Sequence, residues 1–348
     1  MNFQEELLAW YGQHQRALPW RDTTDAYIIW LSEVILQQTR VEQGLPYFYK
    51  FLERFPTVRA FAAASEDEVL KLWQGLGYYS RGRNMLKTAI QVVDENRGVF
   101  PVRYEELLAL KGIGSYTAAA ISSFAANERR AVVDGNVIRV LARYFGVEEP
   151  VNRTDGKKKI DALAAQLIEG QPAALYNQAI MEFGALQCTP RSPNCADCVL
   201  RMDCRARIEG LVSVLPKKLK KASPRRRWFV YFILRDAGGI FIRQRQAGDI
   251  WEKLYDLPLL EYSSAPEPAS AHFMEDIVRH FGAGAQLRLL HQQKQVLSHQ
   301  IIYAQFFALE NYMINFSLQT GIKSVTLQEF KDLAHPKLIS DFLTLYTA

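Results

Sequence analysis

Six side chains carry most of the chemistry open to this sequence. Cys188, Cys195, Cys198 and Cys204 fall within 17 residues, spaced C-x6-C-x2-C-x5-C, and the chain has no other cysteine. Thiols crowded in this way point to a metal rather than to disulfides. Zinc remains open, but structural zinc usually draws on two short-spaced pairs and only one C-x2-C is present. A single loop wrapping four ligands around one cubane suits a 4Fe-4S cluster better. The other two groups are carboxyls. Glu33 lies in WLSEVILQQTR (30–40), where helical spacing gives it Ile29, Trp30, Leu36 and Gln37 as neighbours. Either it is a helix-edge carboxylate paired with an arginine, or it is buried and keeps its proton. Asp134, in AVVDGNVIRV (131–140), precedes a helix with Val137, Ile138, Leu141 and Phe145 on one side. As an N-cap it is worth about 1 kcal/mol, and the same helix amides and dipole are expected to hold it ionised. One protonated and one ionised carboxyl are the pattern of a general acid paired with an anionic stabiliser.

Composition sets the frame for these groups. The 348 residues suit about two domains, and 49% hydrophobic with 23% charged residues is ordinary for a globular protein. The opening MNFQEELLAWYGQHQRALPW has acids and glutamines where a signal peptide needs a basic start and an apolar core. No run approaches the roughly 18 apolar residues of a membrane span, so a cytoplasmic protein with no membrane partner is expected. The net charge of +5 is local. Residues 1–212 carry 25 basic against 25 acidic side chains, and 228–348 carry 10 against 12. Between them SVLPKKLKKASPRRR (213–227) holds seven basic residues and no acid. It reads as an exposed linker, one that would lie along phosphates beside a nucleic acid.

Hydrophobic periodicity predicts helices over 2–11, 25–41, 42–54, 66–73, 82–95, 104–110, 116–126, 136–145, 157–169 and 173–186. After the linker the pattern changes. RWFVYFILRD, GG and IFIRQRQ read as strand, turn and strand. QLRLLHQQ and SHQIIYAQFFAL read as further strands, while 270–282 and 326–347 read as helices. The expected fold is multidomain: an all-α domain over 1–212, the linker, then a smaller α+β domain over 228–348.

The cysteine spacing at the end of a helical domain resembles the endonuclease III superfamily of DNA glycosylases. LKGIGSYTAAAI (110–121) looks like the helix–hairpin–helix of that superfamily, placed here at about 103–126. Gly112 and Gly114 allow a tight turn and a close backbone approach, and the amides opening the next helix would face a phosphate. Asp134, 20 residues past Gly114, sits where the superfamily has its aspartate loop. The 30–40 segment resembles the catalytic helix of MutY-type adenine glycosylases, which remove adenine mispaired with 8-oxoguanine. The resemblance implies that Glu33 protonates adenine and later activates water, that Asp134 stabilises the oxocarbenium ion, and that Asn136 orients the sugar and Asp134. It implies that Gln38, with Thr39 beside it, enters the base stack next to the lesion. Relatives that also cut the strand carry a lysine where this chain has Tyr116, and a phenol cannot form an imine, so a monofunctional enzyme is expected. Ile138 likewise stands where some members have a lysine. Leu18, Trp20 and Arg21 in LPWR (18–21) would surround the flipped base, whose extrusion costs a few kcal/mol. Glu182 would join them, or would serve only core packing. Tyr78 in GLGYYSR (75–81) would stack beside 8-oxoguanine, or belong to a buried aromatic pair.

Residues 228–348 look like the Nudix-like domain of MutY-type proteins, which recognises 8-oxoguanine. The 270–282 segment offers only Glu275 and Asp276 where a Nudix hydrolase needs a glutamate-rich helix, so pyrophosphate hydrolysis is not expected. LSHQ (297–300) matches the family's Phe-Ser-His loop except for Leu297. Ser298 and His299 would bond the damaged base. The implied partner is double-stranded DNA with A:8-oxoguanine or A:G mispairs, the cofactor one 4Fe-4S cluster, and the expected state a monomer. A thymine or uracil mismatch glycosylase on the same scaffold stays open, although such relatives lack a glutamate at the position of Glu33. A non-catalytic damage-binding protein is the alternative of another class.

Overall fold

A computed structural model describes residues 2–219, 223–268, 270–313 and 321–346. The chain divides into two compact units: Met1–Ala63 with Asn84–Lys221, and Ala64–Arg83 with Ala222–Ala348. The second unit thus takes in a piece of the region that reads as part of the helical domain. Among the described residues no helix is long and apolar enough to cross a membrane.

Helices run through the first part of the chain as α1 (Phe3–His14), α2 (Ala26–Leu36), α3 (Val41–Arg54), α4 (Val58–Ala62), α5 (Glu66–Trp73) and α6 (Ser80–Asn96). They continue as α7 (Tyr104–Leu108), α8 (Ser115–Ala126), α9 (Gly135–Phe145), α10 (Thr154–Leu167), α11 (Ala173–Leu186) and α12 (Arg205–Ile208). Their starts are written in short polar side chains: Asp25, Thr57, Ser65 and Asp134 each accept a bond from an amide in the first turn. In the first unit α9 packs on α10, α11 and α12, and α1 packs on α11. Leu7, Trp10, Val140, Leu141, Ile160, Ile180 and Phe183 fill that core. Gly184 makes the α9–α11 contact possible, because a Cβ there would lie 2.7 Å from Cβ of Asn136. α2 packs on α3 and on α8. The 25–41 segment is not one helix: α2 stops at Leu36, and Gln38 has left-handed backbone, φ 60°. Two polar residues in a row end the apolar face, so nothing buries a further turn.

The α7–turn–α8 hairpin depends on Gly112. Its φ is +82°, and a Cβ would meet Cβ of Asn84 at 2.8 Å. Gly114 differs: it caps α8 at φ −92° with open space where a side chain would be.

The second unit holds two small sheets. Strands β1 (Arg225–Ile233), β2 (Arg235–Asp236), β3 (Gly239–Gln244), β4 (Tyr255–Asp256) and β5 (Leu259–Tyr262) precede α13 (Ala271–Phe281). Then come β6 (Gln286–Val296), β7 (Gln300–Glu310), β8 (Ile322–Val325), α14 (Leu327–Asp332) and α15 (Lys337–Tyr346). One sheet has the order β5-β1-β7-β6, with β1 parallel to β7; in the other β3 pairs with β2, β4 and β8. Val230, Phe232, Phe273, Ile277, Phe281 and Phe307 pack α13 onto the first sheet. Two expectations change here. The basic segment is not exposed to its end: Arg225–Arg227 open β1, and Arg227 is buried, forked onto Asp249 and Glu261. The 326–347 region is two helices, because Pro336 lacks the amide needed to continue α14.

Gly112→Ala is expected to lower stability by at least about 1–2 kcal/mol, the cost of left-handed backbone for an L-residue, plus the clash. Gly114→Ala should cost under about 1 kcal/mol. Urea unfolding of the two variants measures both, and equal losses would contradict this account of the turn.

Candidate active site

The contact between α2 and α8 brings Glu33 under Tyr116. The Glu33 side chain lies among the apolar residues of α2, and the residue is only 9% exposed. The Tyr116 hydroxyl donates to its Oε2 at 3.0 Å. At the end of α2, Gln37 donates to Thr117 Oγ1 at 3.0 Å, a second tie between the two helices. Burial lifts the Glu33 pKa to about 7; the Tyr116 hydrogen bond works against the rise and the charge of Asp134 adds to it. Tyr116 is itself raised well above the usual phenol value, by burial first and then by Glu33 and Asp134. The three groups therefore share one electrostatic site, though they come from α2, α8 and the start of α9. Among the described residues neither carboxyl is in an ion pair.

Asp134 caps α9 as its position in the sequence suggests. One carboxylate oxygen accepts from the amides of Asn136 and Val137, each at 2.8 Å, and the other from Asn136 Nδ2 at 2.7 Å. Three donors with no acceptor among them favour the ionised form. The expected depression of its pKa is nevertheless absent. Burial raises it above the usual aspartate value, and the hydrogen bonds and Arg139 only oppose that rise. The pair is thus separated by its partners, four groups opposing protonation at Asp134 and one at Glu33, not by opposite shifts.

Arg139 extends the site backward. It donates to Asn136 Oδ1 at 2.8 Å and to the carbonyls of Gly184 and Cys188, both at 2.6 Å. Its neighbour Arg143, buried, donates to Cys188 Sγ at 3.4 Å and to the carbonyls of Thr189, Pro190 and Leu215. Nothing in the sequence marks these two arginines apart from their i, i+4 spacing on α9. Cys188, Cys195, Cys198 and Cys204 all line one cavity, walled by Val140, Phe183, Leu200 and Val212. No cluster of three His, Cys, Asp or Glu side chains suited to one metal ion is found among the described residues. A polynuclear cluster fits that donor set: four thiols, an apolar wall and an arginine bonded to sulfur. Arg191, Arg201, Arg205 and Arg207 are exposed around it.

The segment before α2 is pinned by a buried ion network. Glu182 is 1% exposed and accepts from the amide and guanidinium of Arg16 and from both terminal nitrogens of Arg21. Burial would raise its pKa, but the two arginines override that and hold it at about 2. Glu182 is held between Arg16 and Arg21 and fixes both guanidinium groups. Leu18 is buried and Trp20 half-buried, its ring 5.1 Å edge-on from Phe48. Gln38 is exposed, and the Thr39 amide bonds back to Leu36 O at 3.1 Å.

In the second unit, Tyr78 is 42% exposed with left-handed backbone, φ 46°, so the buried-pair reading does not hold. Its hydroxyl donates to Ser298 Oγ at 2.6 Å, and Ser298 lies 3.1 Å from His299 Nδ1. Ser298 and His299 are exposed on the β6–β7 turn rather than within a strand. All three line a cavity of about 290 Å³ together with Leu297, Gln295 and Trp251.

Known proteins resemble both parts of the chain. A model described as HhH-GPD superfamily base excision DNA repair protein matches residues 31–169, and a NUDIX domain model matches 230–345. The adenine DNA glycosylase of Buchnera aphidicola (subsp. Acyrthosiphon pisum) is 34% identical over 259 residues, covering 74% of this chain and 73% of that protein. The adenine DNA glycosylase of Homo sapiens is 44% identical over 214 residues, covering 59% of this chain and 39% of that one. Among solved structures, a thermostable thymine-DNA glycosylase superposes with a TM-score of 0.55 at 28% identity, covering 60% of this chain and 95% of that chain. A buried carboxyl beneath a tyrosine, a helix-capping aspartate and matches that run through both units lead to one conclusion: the chain belongs to the adenine DNA glycosylase family of base-excision enzymes.

Proposed function

We propose that the protein removes adenine opposite 8-oxoguanine or guanine in double-stranded DNA, with Glu33 as the acid, Asp134 as the stabilising anion and no strand cleavage. The observation that carries this reading is the Glu33 carboxyl, buried beside Asp134 with a pKa of about 7. It can hold a proton at neutral pH and also release it, as a group serving first as acid and then as base must do.

Tyr116 occupies Oε2 of Glu33, which leaves Oε1 to carry the proton toward the flipped base. Proton transfer to adenine N7 lets the electrons of the C1′–N9 bond depart with a neutral base. The sugar is left positive at C1′, where the Asp134 carboxylate, oriented by Asn136, opposes the charge. Glu33, now ionised, takes a proton from the attacking water and returns to its starting state. Tyr116 cannot form an imine with C1′, which confines the reaction to hydrolysis. Leu18, Trp20 and Arg21 line the base side. The amides opening α8 behind Gly114, which lack a side-chain cap, bind a phosphate. Gln38 and Tyr78 enter the stack, and Ser298 and His299 read the opposite base.

The four cysteines would hold a 4Fe-4S cluster, which when bound would supply a covalent brace for the 188–204 loop. Arg143 supports that brace at Cys188, and Arg139 ties the Cys188 carbonyl to Asn136.

Glu33→Gln should retain duplex affinity within about tenfold while excision falls by at least roughly 10²-fold, the usual worth of a general acid; full activity would refute the assignment. The kcat/KM profile should fall as pH rises through about 7, where Glu33 loses its proton. Tyr116→Phe removes the bond that lowers this pKa, so the alkaline limb should move to higher pH, and a shift downward would contradict the geometry. The purified protein should absorb near ~400 nm and carry about four irons per chain, both reduced in Cys198→Ser; a colourless zinc protein would rule out the cluster.

A further inference from the structure

The piece of chain that carries Tyr78 is held by the second unit at several points. Residues 64–83 leave α5 as a tight arc: Gly75, Gly77 and Tyr78 all have left-handed φ, of 103°, 68° and 46°. Trp73 Nε1 donates to the Gly77 carbonyl at 2.8 Å, and Arg81 donates to the carbonyls of Leu76 and Gly77 at 3.3 and 3.4 Å. The arc is therefore stiff in itself. What sets its place is the break between α14 and α15. Lys71 donates to the carbonyls of Lys331 and Leu333. Gln74 Nε2 lies 3.1 Å from His335 Nε2 and donates to Ser340 Oγ at 2.7 Å. Tyr79 donates to the His335 carbonyl at 3.5 Å. On the far side of the arc, Arg83 donates to the Glu252 carbonyl at 2.7 Å.

His335 is the buried member of this set, 4% exposed, and the active-site chemistry makes no use of it. Its Nδ1 lies 2.8 Å from the Leu333 carbonyl, so the proton sits on Nδ1 and Nε2 accepts from Gln74. Burial and the nearby Lys71 charge keep the ring neutral, lowering its pKa to about 4. A neutral acceptor fixed in this way orients Gln74, and Gln74 immediately precedes the arc that delivers the Tyr78 hydroxyl to Ser298.

We propose that His335 and Gln74 are positioning residues for opposite-base selectivity: they dock the 64–83 strap so that Tyr78 and Ser298 form one preassembled reader. This rests on the reading that Tyr78 and Ser298 contact the base opposite adenine. Neither His335 nor Gln74 lines the 290 Å³ cavity, and neither has a part in the proposed bond cleavage, so the effect is on discrimination.

The test uses the full-length protein and single-turnover excision of adenine opposite 8-oxoguanine and opposite guanine. It compares His335→Ala, His335→Gln, Gln74→Leu and Ser298→Ala. The ratio of the two rate constants at subsaturating enzyme should fall about fivefold or more in His335→Ala and Gln74→Leu. Saturating rates should stay within about twofold, because the barrier to bond cleavage is untouched. His335→Gln, which keeps an acceptor near the place of Nε2, should restore most of the ratio; a merely structural role would not show that rescue. If Ser298→Ala lowers the ratio while His335→Ala and Gln74→Leu leave it unchanged, the positioning role is wrong and the reading of Ser298 stands. If Ser298→Ala also leaves it unchanged, the reading fails and takes this proposal with it. Equal loss on both substrates with a lowered Tm would likewise overturn it, and should His335→Ala not fold, Gln74→Leu decides alone.

Discussion

A carboxyl group kept out of water organises the first unit. Glu33 sits on the apolar face of α2, and the hydrogen bond it accepts from Tyr116 is too little to hold it ionised against burial. Its folded pKa of about 7 lies above the unfolded value of 4.5. The stability contributed by the protonated form is therefore fully present below about 4.5 and is lost as pH rises through 7. A fold under selection for stability alone would place an apolar residue there. The α2–α8 contact, the hairpin turn at Gly112 and the cap at Asp134 have to be arranged around that choice.

The rest of the unit braces the other half of the pair. Asp134 is fixed by the first turn of α9 and by Asn136, Asn136 by Arg139, and Arg139 by the carbonyls of Gly184 and Cys188. Each link is buried or part-buried, so each unmade bond would leave a costly polar group. Gly184 lets α11 approach closely enough for this chain of bonds to close. The cysteine loop is therefore connected to Asp134 through hydrogen bonds, whatever occupies its cavity.

The sequence was informative where a residue's meaning is local. Helix periods, the N-cap at Asp134, the positive-φ glycine of the hairpin and the unusual company of Glu33 could all be read within a few positions. Partners distant in the chain could not. Tyr116 and Glu33 are 83 residues apart and Glu182 and Arg21 are 161 apart, and no pattern in either segment names the other. The basic run 213–227 looked like a tether throughout because charge alone does not reveal that Arg227 has Asp249 and Glu261 waiting for it. Residues 64–83 read as one more helix and loop; that they pack with the second unit depends on carbonyls at the α14–α15 break, about 260 residues later. At Asp134 the helix amides are visible in the sequence and the depth of burial is not, and burial is what sets the direction of its pKa shift.

The central claim is that Glu33 is protonated at neutral pH because of where it sits. The most direct measurement is a carboxyl carbon NMR titration of the free protein labelled at glutamate, with Glu33→Gln identifying the resonance. The account requires a midpoint near 7, well above the ordinary glutamate value of 4.5. A Glu33 resonance titrating near 4.5 would contradict it, since the carboxyl would then be ionised at neutral pH and unable to protonate a departing base.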